Sequence, residues 1–574
     1  MPGALIRKAR RLAADPVLRR WLLGRTLGRF AGAPPFKAHR PPYLEGRLPL
    51  PAEKAEPPAA FAELDTGRPS APLDIPLAGH TVRIEPGDEK DLFGKSFGDI
   101  EVLLAIHRFA WLPLLGEDID PAWVRAIWGA WRNIHGTPSR GWPWHPYTAA
   151  ERAVNILNFS RRRGLPGRLA DTLLVLAAHG PAIAAKLEYF GGHHTSNHLA
   201  NNGRGLYLLG LALGLGDCAE MGAAILIGEA ERIFNASGIL REGSSHYHML
   251  LARNYAEAWL AARAHARKEE PALKRTAAKA LAAIPRLVLP GGLPLIGDIS
   301  PDCPPAFLSG LVPGGDAGGG WTGLLDTAER QAFVGLRDGA GIMDAEELRA
   351  DGWLRADFGP WSGLWHAAPE GWSPMPGHGH QDCGGFEMHY LGEALFVDPG
   401  RGAYGETGKA AYFRSARAHN SLTVDGADPY PANKPYYDPA FRALLGGPPP
   451  GLRRDSQGVS LNHHGYARLG GVGELIREWS FTDTSLTISD SISGTTERLV
   501  ERRLITPLAA KTEADAVVLE GGGAAFRITG EGSVPSLSPV ERWLAYGESV
   551  PATEIRFESK TTLPWSAALS VEVL

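Results

Sequence analysis

The hydrophobic period of this chain changes once, and that change constrains the fold more than any other feature. From about residue 101 to 290, apolar residues recur every three or four positions. Ile100–Phe109 is the first such run, and segments near 119–134, 147–163, 168–188, 195–215, 217–236, 244–267 and 271–284 follow it. Gly and Pro separate them, as at Gly164–Gly167, Gly191–Gly192 and Gly214–Gly216. Helices joined by short connections over such a length make an all-α domain: a bundle, a solenoid or an α/α toroid. After a Gly/Pro-rich junction at 288–335 the period falls to two. Gly385–Leu391, Ser421–Val424, Glu478–Ser489, Ala516–Leu519, Ala525–Ile528 and Glu554–Glu558 alternate or are β-branched, with turn residues between them. Many short strands at close intervals predict an antiparallel β-sandwich. The expected architecture is multidomain α+β: an arm over 1–75, a helical domain over 76–335 and a sandwich over 336–574.

At 574 residues the chain exceeds what one core holds. With 21% charged residues and a net charge of -4, it has no basic excess that would point to nucleic acid. Its three cysteines, Cys218, Cys303 and Cys383, are scattered, which excludes a CxxC zinc site and argues against a disulfide framework. No apolar run reaches the roughly 18 residues of a membrane span. Met1–Phe30 carries eight Arg or Lys among Leu, Ile and Trp. Arg interrupts every stretch that could serve as the apolar core of a secretory signal. The stretch reads instead as a basic amphipathic helix, docked on another domain or in peripheral contact with an anionic membrane. Residues 31–75, with Ala33-Pro34-Pro35, Arg40-Pro41-Pro42 and Glu56-Pro57-Pro58, read as an extended arm.

Four stretches concentrate His, Asn, Arg and Tyr. The first, Trp142–Thr148, precedes a helix, and Trp144 and His145 are either sugar-stacking residues or packing. The second runs from Gly191 to Arg204 into an apolar helix. One Asn or Ser would cap that helix, but the three His and three Asn exceed capping and make His194, Asn197, His198 and Arg204 candidates for holding an anionic group. The third, Leu240–His248, places Tyr247 between His246 and His248, close after Glu242. Tyr247 is a candidate general acid or base if a neighbour activates its phenol. The fourth, Met375–Gly426, holds His378-Gly379-His380, Val397-Asp398-Pro399-Gly400, Tyr404, Arg414, Arg417 and His419. On a strand, His378 and His380 would share a face. His380, Asp398 and His419 form a donor set of the kind zinc accepts, or else a metal-free hydrogen-bonded network.

At these residues the chain resembles the heparinase II/III family of polysaccharide lyases. The motifs are His378-Gly379-His380-Gln381-Asp382 followed by Phe386-Glu387, the Val397–Gly400 tetrapeptide, and Tyr412–Ser415 continuing through His419-Asn420-Ser421 to Val424-Asp425-Gly426. Ser196–Leu199, Arg241–Ser244 with Tyr247, and Ile296-Gly297-Asp298 support it. The resemblance covers roughly residues 100–560. It implies an α/α toroid joined to an antiparallel sandwich, with the active site between them, and a carbon-oxygen lyase that cuts acidic glycans beside a uronic acid by β-elimination. It further implies that Asn197 and His198 contact the substrate carboxylate, that Tyr247 is the base and in syn-elimination also the acid, and that His378 acts near C5. It gives His380, Asp398 and His419 as ligands of a structural Zn2+, and a periplasmic or cell-surface setting, whereas the lack of a clear secretory signal, taken at face value, reads as cytoplasmic. Trp144, His145, His194, Arg204, Glu242, His246, Tyr404 and Arg417 are the expected substrate contacts. A bacterial exopolysaccharide is one possible substrate. Two other readings stand beside it: a glycoside hydrolase drawing its two carboxylates from Glu242, Asp382 and Glu387, and a non-catalytic glycan-binding protein.

Overall fold

The computed structural model describes residues 6, 9–10, 12–30, 39–47, 49–375, 377–521 and 523–574. The Ala33-Pro34-Pro35 part of the arm, much of the basic stretch before Asp15, and Pro376 lie outside them. The helical region is a ring of paired helices. Pro146–Arg163, His198–Leu213 and Ser245–Ala264 are buried on almost every face, whereas the helices that follow them, Leu169–Ala184, Gly216–Ile233 and Glu270–Leu287, each keep a wet face. A helix apolar all round belongs inside and one with a wet stripe outside, so the first three line the ring and the second three surround it. Close approach explains the glycines of the middle inner helix. A Cβ on Gly205 would lie 2.5 Å from the Ala150 Cβ of its neighbour.

Polar side chains cross the ring's interior. Arg204 donates from Nη1 to Glu151 Oε1 at 2.7 Å and from Nε to Glu257 Oε2 at 2.6 Å, and Asn158 Nδ2 reaches Glu257 Oε1 at 2.8 Å. These residues belong to all three inner helices. The network corrects the expectation that Arg204 contacts substrate: its side chain is buried and both carboxylates are already its partners.

The Gly/Pro-rich junction is less bare than its composition predicts. It contains a 3-10 turn at Pro305–Leu311 and a helix at Thr327–Gly339, which Asp326 and Glu329 start with a reciprocal capping box. A hairpin, Leu73–Leu77 with His80–Ile84, precedes the ring helices, and the strands of the sandwich begin at Trp353. One sheet has eight antiparallel strands, with Val472–Thr482, Ser485–Gly494 and the C-terminal Trp565–Val573 at its middle. A four-stranded sheet is built on Glu497–Thr506 and Glu548–Thr562, and another runs Trp353–Phe358, Trp361–His366, Gly385–Tyr390, Glu393–Phe396. All three sheets contribute to one core, through Trp365 and Phe386, Trp479 and Leu569, and Leu504 and Phe557.

The helix Pro16–Thr26, capped by Asp15, turns Val17 and Trp21 inward. They pack with Trp372, Tyr437 and Phe441 of the sandwich region. The inward face of this basic helix is thus covered by the chain itself. No helix among the described residues is long and apolar enough to cross a membrane.

Candidate active site

Three backbone segments meet where ring and sandwich touch: 242–245, 296–298 and 378–380. The His378 N–H donates to the Glu242 carbonyl at 2.7 Å, and the Asp298 N–H to the His378 carbonyl at 2.9 Å. The Ser245 N–H donates to the Ile296 carbonyl at 3.0 Å. Gly297, at φ +81°, makes this approach possible, because a Cβ there would fall 2.5 Å from the Gly243 carbonyl oxygen and 2.9 Å from that of His378. Ser244 caps the last inner helix by accepting from the Tyr247 N–H, while its hydroxyl donates to the Asp298 carbonyl at 2.7 Å. This places Tyr247 at the helix start, facing the sandwich.

His378 stands at the centre. Its ring stacks on Tyr247 with centroids 3.5 Å apart and planes 8° from parallel. Nδ1 is 3.0 Å from Asp298 Oδ2 and Nε2 is 3.3 Å from Asn197 Nδ2. A carboxylate can only accept, so the Asp298 contact assigns the proton to Nδ1 and leaves the Nε2 lone pair facing Asn197 and the cleft. Asn197 sits at the cap position of the helix His198–Leu213 but its side chain caps nothing. It donates instead to Glu242 Oε2 at 2.7 Å, and its N–H donates to Glu242 Oε1 at 2.7 Å. The Tyr247 and Tyr404 hydroxyls share a hydrogen bond. Burial pushes the Tyr247 phenol well above its usual pKa, and the Asp302 carboxylate adds to the effect. The His198 ring lies against Tyr147, centroids 4.7 Å apart and planes tilted by 53°, and its Nδ1 lies 2.9 Å from Glu188 Oε1.

Asp298 is the hub that spacing along the sequence did not single out as a site residue. Its Oδ2 takes His378, and its Oδ1 takes both His380 Nε2 at 2.9 Å and Arg401 Nη1 at 2.8 Å. Burial opposes its charge, but the two imidazoles outweigh burial and hold its carboxyl far below the usual range. The expected strand at His378–His380 is a loop, with Gly377 and Gly379 between its turns. The two rings converge all the same, because both grip one carboxylate.

Several expected contacts lie elsewhere. Trp144 is buried, lies at a tilt against the His179 ring and donates from Nε1 to the His135 carbonyl at 2.6 Å, so it is packing. His246 is buried and accepts the Ser300 N–H at 3.0 Å, and burial lowers its pKa to about 3. Arg417 is exposed on the turn Ala416–Ala418, away from the groups that meet at His378. His194 lies half-buried on the loop before Asn197. His145 stands 3.7 Å from Glu188, beside His198. Of the carboxylates a hydrolase would use, Asp382 holds His366 at 3.0 Å, and Glu387 holds His389 at 3.1 Å and accepts the Asp398 N–H at 3.0 Å.

The metal set is only partly assembled. Among the described residues no three His, Cys, Asp or Glu side chains converge as a metal site. Asp398 Oδ2 lies 2.8 Å from His419 Nδ1, and its Oδ1 accepts the Gly400 N–H. Asp398 therefore supports His419. Yet His380 Nδ1 and His419 Nε2 are both buried without a hydrogen-bond partner, and the two rings are 5.1 Å apart. Two orphaned imidazole nitrogens, each on a ring fixed by a carboxylate at its other nitrogen, fit a zinc ion in donor type and outer-shell support.

Residues 344–565 match the family model described as heparinase II/III-like, C-terminal. A sequence comparison with curated proteins gives no match. Among solved structures, a heparinase III is similar at a TM-score of 0.61 and 15% identity, covering 84% of this chain and 79% of that one. The heparinase III that is the BT4657 gene product is similar at 0.57 and 15%, over 98% and 91%. The heparan sulfate lyase HepC from Pedobacter heparinus is similar at 0.51 and 16%, over 86% and 79%. At these identities the likeness is one of fold: a helical ring followed by antiparallel sheets.

Proposed function

We infer that this chain, which carries a heparinase II/III-like C-terminal domain over residues 344–565, is a polysaccharide lyase that cuts an acidic glycan beside a uronic acid. One observation carries the reading: a phenol, an imidazole and a carboxamide converge across the domain boundary, with Tyr247 stacked on His378 and Asn197 Nδ2 3.3 Å from His378 Nε2. In β-elimination the C5–H bond breaks, its electron pair forms the C4–C5 double bond, and the 4-oxygen leaves and takes a proton. Asn197 and His198 bind the uronate carboxylate, and hydrogen bonding there stabilises charge that builds up as C5 loses its proton. Tyr247 takes the C5 proton and returns it to the departing oxygen. Burial keeps Tyr247 protonated in the free site, so before it can take the C5 proton it gives up its own proton to solvent through the open cleft, with the Tyr404 hydroxyl donating to the resulting phenolate. His378, fixed by Asp298, holds the Tyr247 ring and presents Nε2 to the cleft.

A structural zinc belongs to the same proposal. His380 Nδ1 and His419 Nε2 would hold it, and Asp398 orients the His419 ring by accepting from its Nδ1 at 2.8 Å. The ion braces loops 378–380 and 398–419, apart from the chemistry.

The test is a panel of uronate-containing polysaccharides, including bacterial exopolysaccharides. At least one polymer gains the ultraviolet absorbance of an unsaturated uronate end, and Tyr247→Phe lowers that rate by about 10²–10⁴-fold with the fold retained. Full activity in Tyr247→Phe removes Tyr247 from its assigned role.

A further inference from the structure

The cleft is rich in carboxylates for a site that receives an anion. Glu242 and Asp298 both flank His378, and Asp302 lies behind them. Of the arginines nearby, Arg108 is paired with Asp302 and Glu101 and Arg401 with Asp298, while Arg241 donates to the Thr195 carbonyl. A substrate carboxylate needs a cation of its own. His198 is well placed to supply it, because its side chain is 42% exposed while its Nδ1 is fixed 2.9 Å from Glu188 Oε1. Glu188 is mostly enclosed and stands at the start of the loop that leads to Asn197. His145 Nε2 approaches the same oxygen at 3.7 Å.

We propose that Glu188 is a positioning residue for substrate binding, accepting the Nδ1–H of His198 so that the imidazolium Nε2–H points into the cleft to receive the uronate carboxylate. The proposal rests on the lyase reading above. Its chemistry is that of a carboxylate–histidine pair: the carboxylate fixes the ring, selects which nitrogen faces outward and favours the charged form. The groups facing His198 are Glu188 and Glu242, which favour the cation, Arg108 and His145, which oppose it, and the ring of Tyr147 at 4.7 Å. Burial also opposes the charge, but Glu188 outweighs it, and the His198 pKa lies above the usual imidazole value. Burial lowers that of His145. The two rings are therefore pushed in opposite directions around a single carboxylate, His198 toward the charged form and His145 toward the neutral one.

Two readouts test this. In the free full-length protein, the His198 ring resonance is identified by its loss in His198→Gln and followed with pH by NMR. Its titration moves to lower pH in Glu188→Gln, and Glu188→Asp returns it toward the wild-type position. On the uronate polymer, Glu188→Gln raises KM by about tenfold, as expected for weakened binding of the carboxylate, and any fall in kcat is smaller than that rise. KM of the wild type rises as pH passes upward through the His198 pKa, and in Glu188→Gln the rise comes at lower pH. An unchanged His198 titration in Glu188→Gln overturns the proposal, as does a fall in kcat at constant KM. The titration needs no turnover, so a wild type that cleaves no uronate polymer refutes the lyase reading separately.

Discussion

At the residue scale, two histidines one residue apart have different neighbours. His378 and His380 both bond Asp298, one at each oxygen, but His378 turns its other nitrogen toward Asn197 and the cleft, and His380 turns its own toward His419. The orphaned nitrogens of His380 and His419 lead to a direct expectation. Metal analysis of the purified protein finds about one zinc per chain, and chelation lowers Tm by about 5 °C or more for a site held at a hundredfold over its Kd. His380→Ala lowers Tm similarly and makes it insensitive to chelator. Metal-free protein whose Tm ignores both zinc and chelator contradicts the brace. The pattern His-x-His, Tyr247 and Asn197 could be found in the sequence because each sits in an unusual concentration of polar residues. Asp298 and Glu188 could not be weighed in that way. Asp298 stands alone in a Gly/Pro-rich junction, and Glu188 follows the end of an apolar helix, so only the fold brings them to their histidines. The same criterion misjudged Arg204. It lies beside Asn197 in sequence, but the chain has entered the helix by then and the side chain points into the ring.

At the element scale, the site depends on how closely three loops approach. Gly297 is the contact point, wedged between Gly243 and His378 at a positive φ. Gly297→Ala forces those loops apart, moving His378 relative to Tyr247 and Asn197. The expected result is a fall of about 100-fold in kcat/KM, since a displacement near 1 Å costs that much in a positioned site, with both domains still folded by circular dichroism. Activity within about twofold of wild type would show that the loops do not set the geometry. Helix positions were legible because a 3.6-residue period persists over many turns, and helices such as Ser245–Ala264 begin and end close to where the pattern does. The loop at 377–382 was misread as a strand. Period-two reasoning assumes a pleated backbone, and the glycines at 377 and 379 release the chain from it.

At the scale of the whole molecule, the ring and the sandwich each supply half of the site. Asn197, His198, Glu242 and Tyr247 come from the ring, and His378 and Tyr404 from the sandwich side, with Asp298 on the segment between. A second tie lies beside Tyr404, where the Tyr546 hydroxyl accepts the Tyr404 N–H at 3.1 Å and donates to Asp99 Oδ2 at 2.7 Å. Inside the ring, Arg204 is the link between two buried carboxylates. Arg204→Ala leaves Glu151 and Glu257 without their counter-charge and is expected to cost about 3–5 kcal/mol, read as a lower unfolding midpoint of the helical region. Replacing both acids by Gln in that background recovers much of the loss. An unchanged midpoint with a raised KM would return Arg204 to the cleft. The change of period along the sequence predicts a helical part followed by a β-part, while the closing of the helices into a ring depends on burial patterns that periodicity does not encode. Cleavage of a uronate polymer in heavy-oxygen water shows whether this joint site eliminates or hydrolyses. Elimination gives an unsaturated product end, lighter by one water than a hydrolytic end and free of the label. Saturated ends carrying one heavy oxygen per cleavage would contradict it.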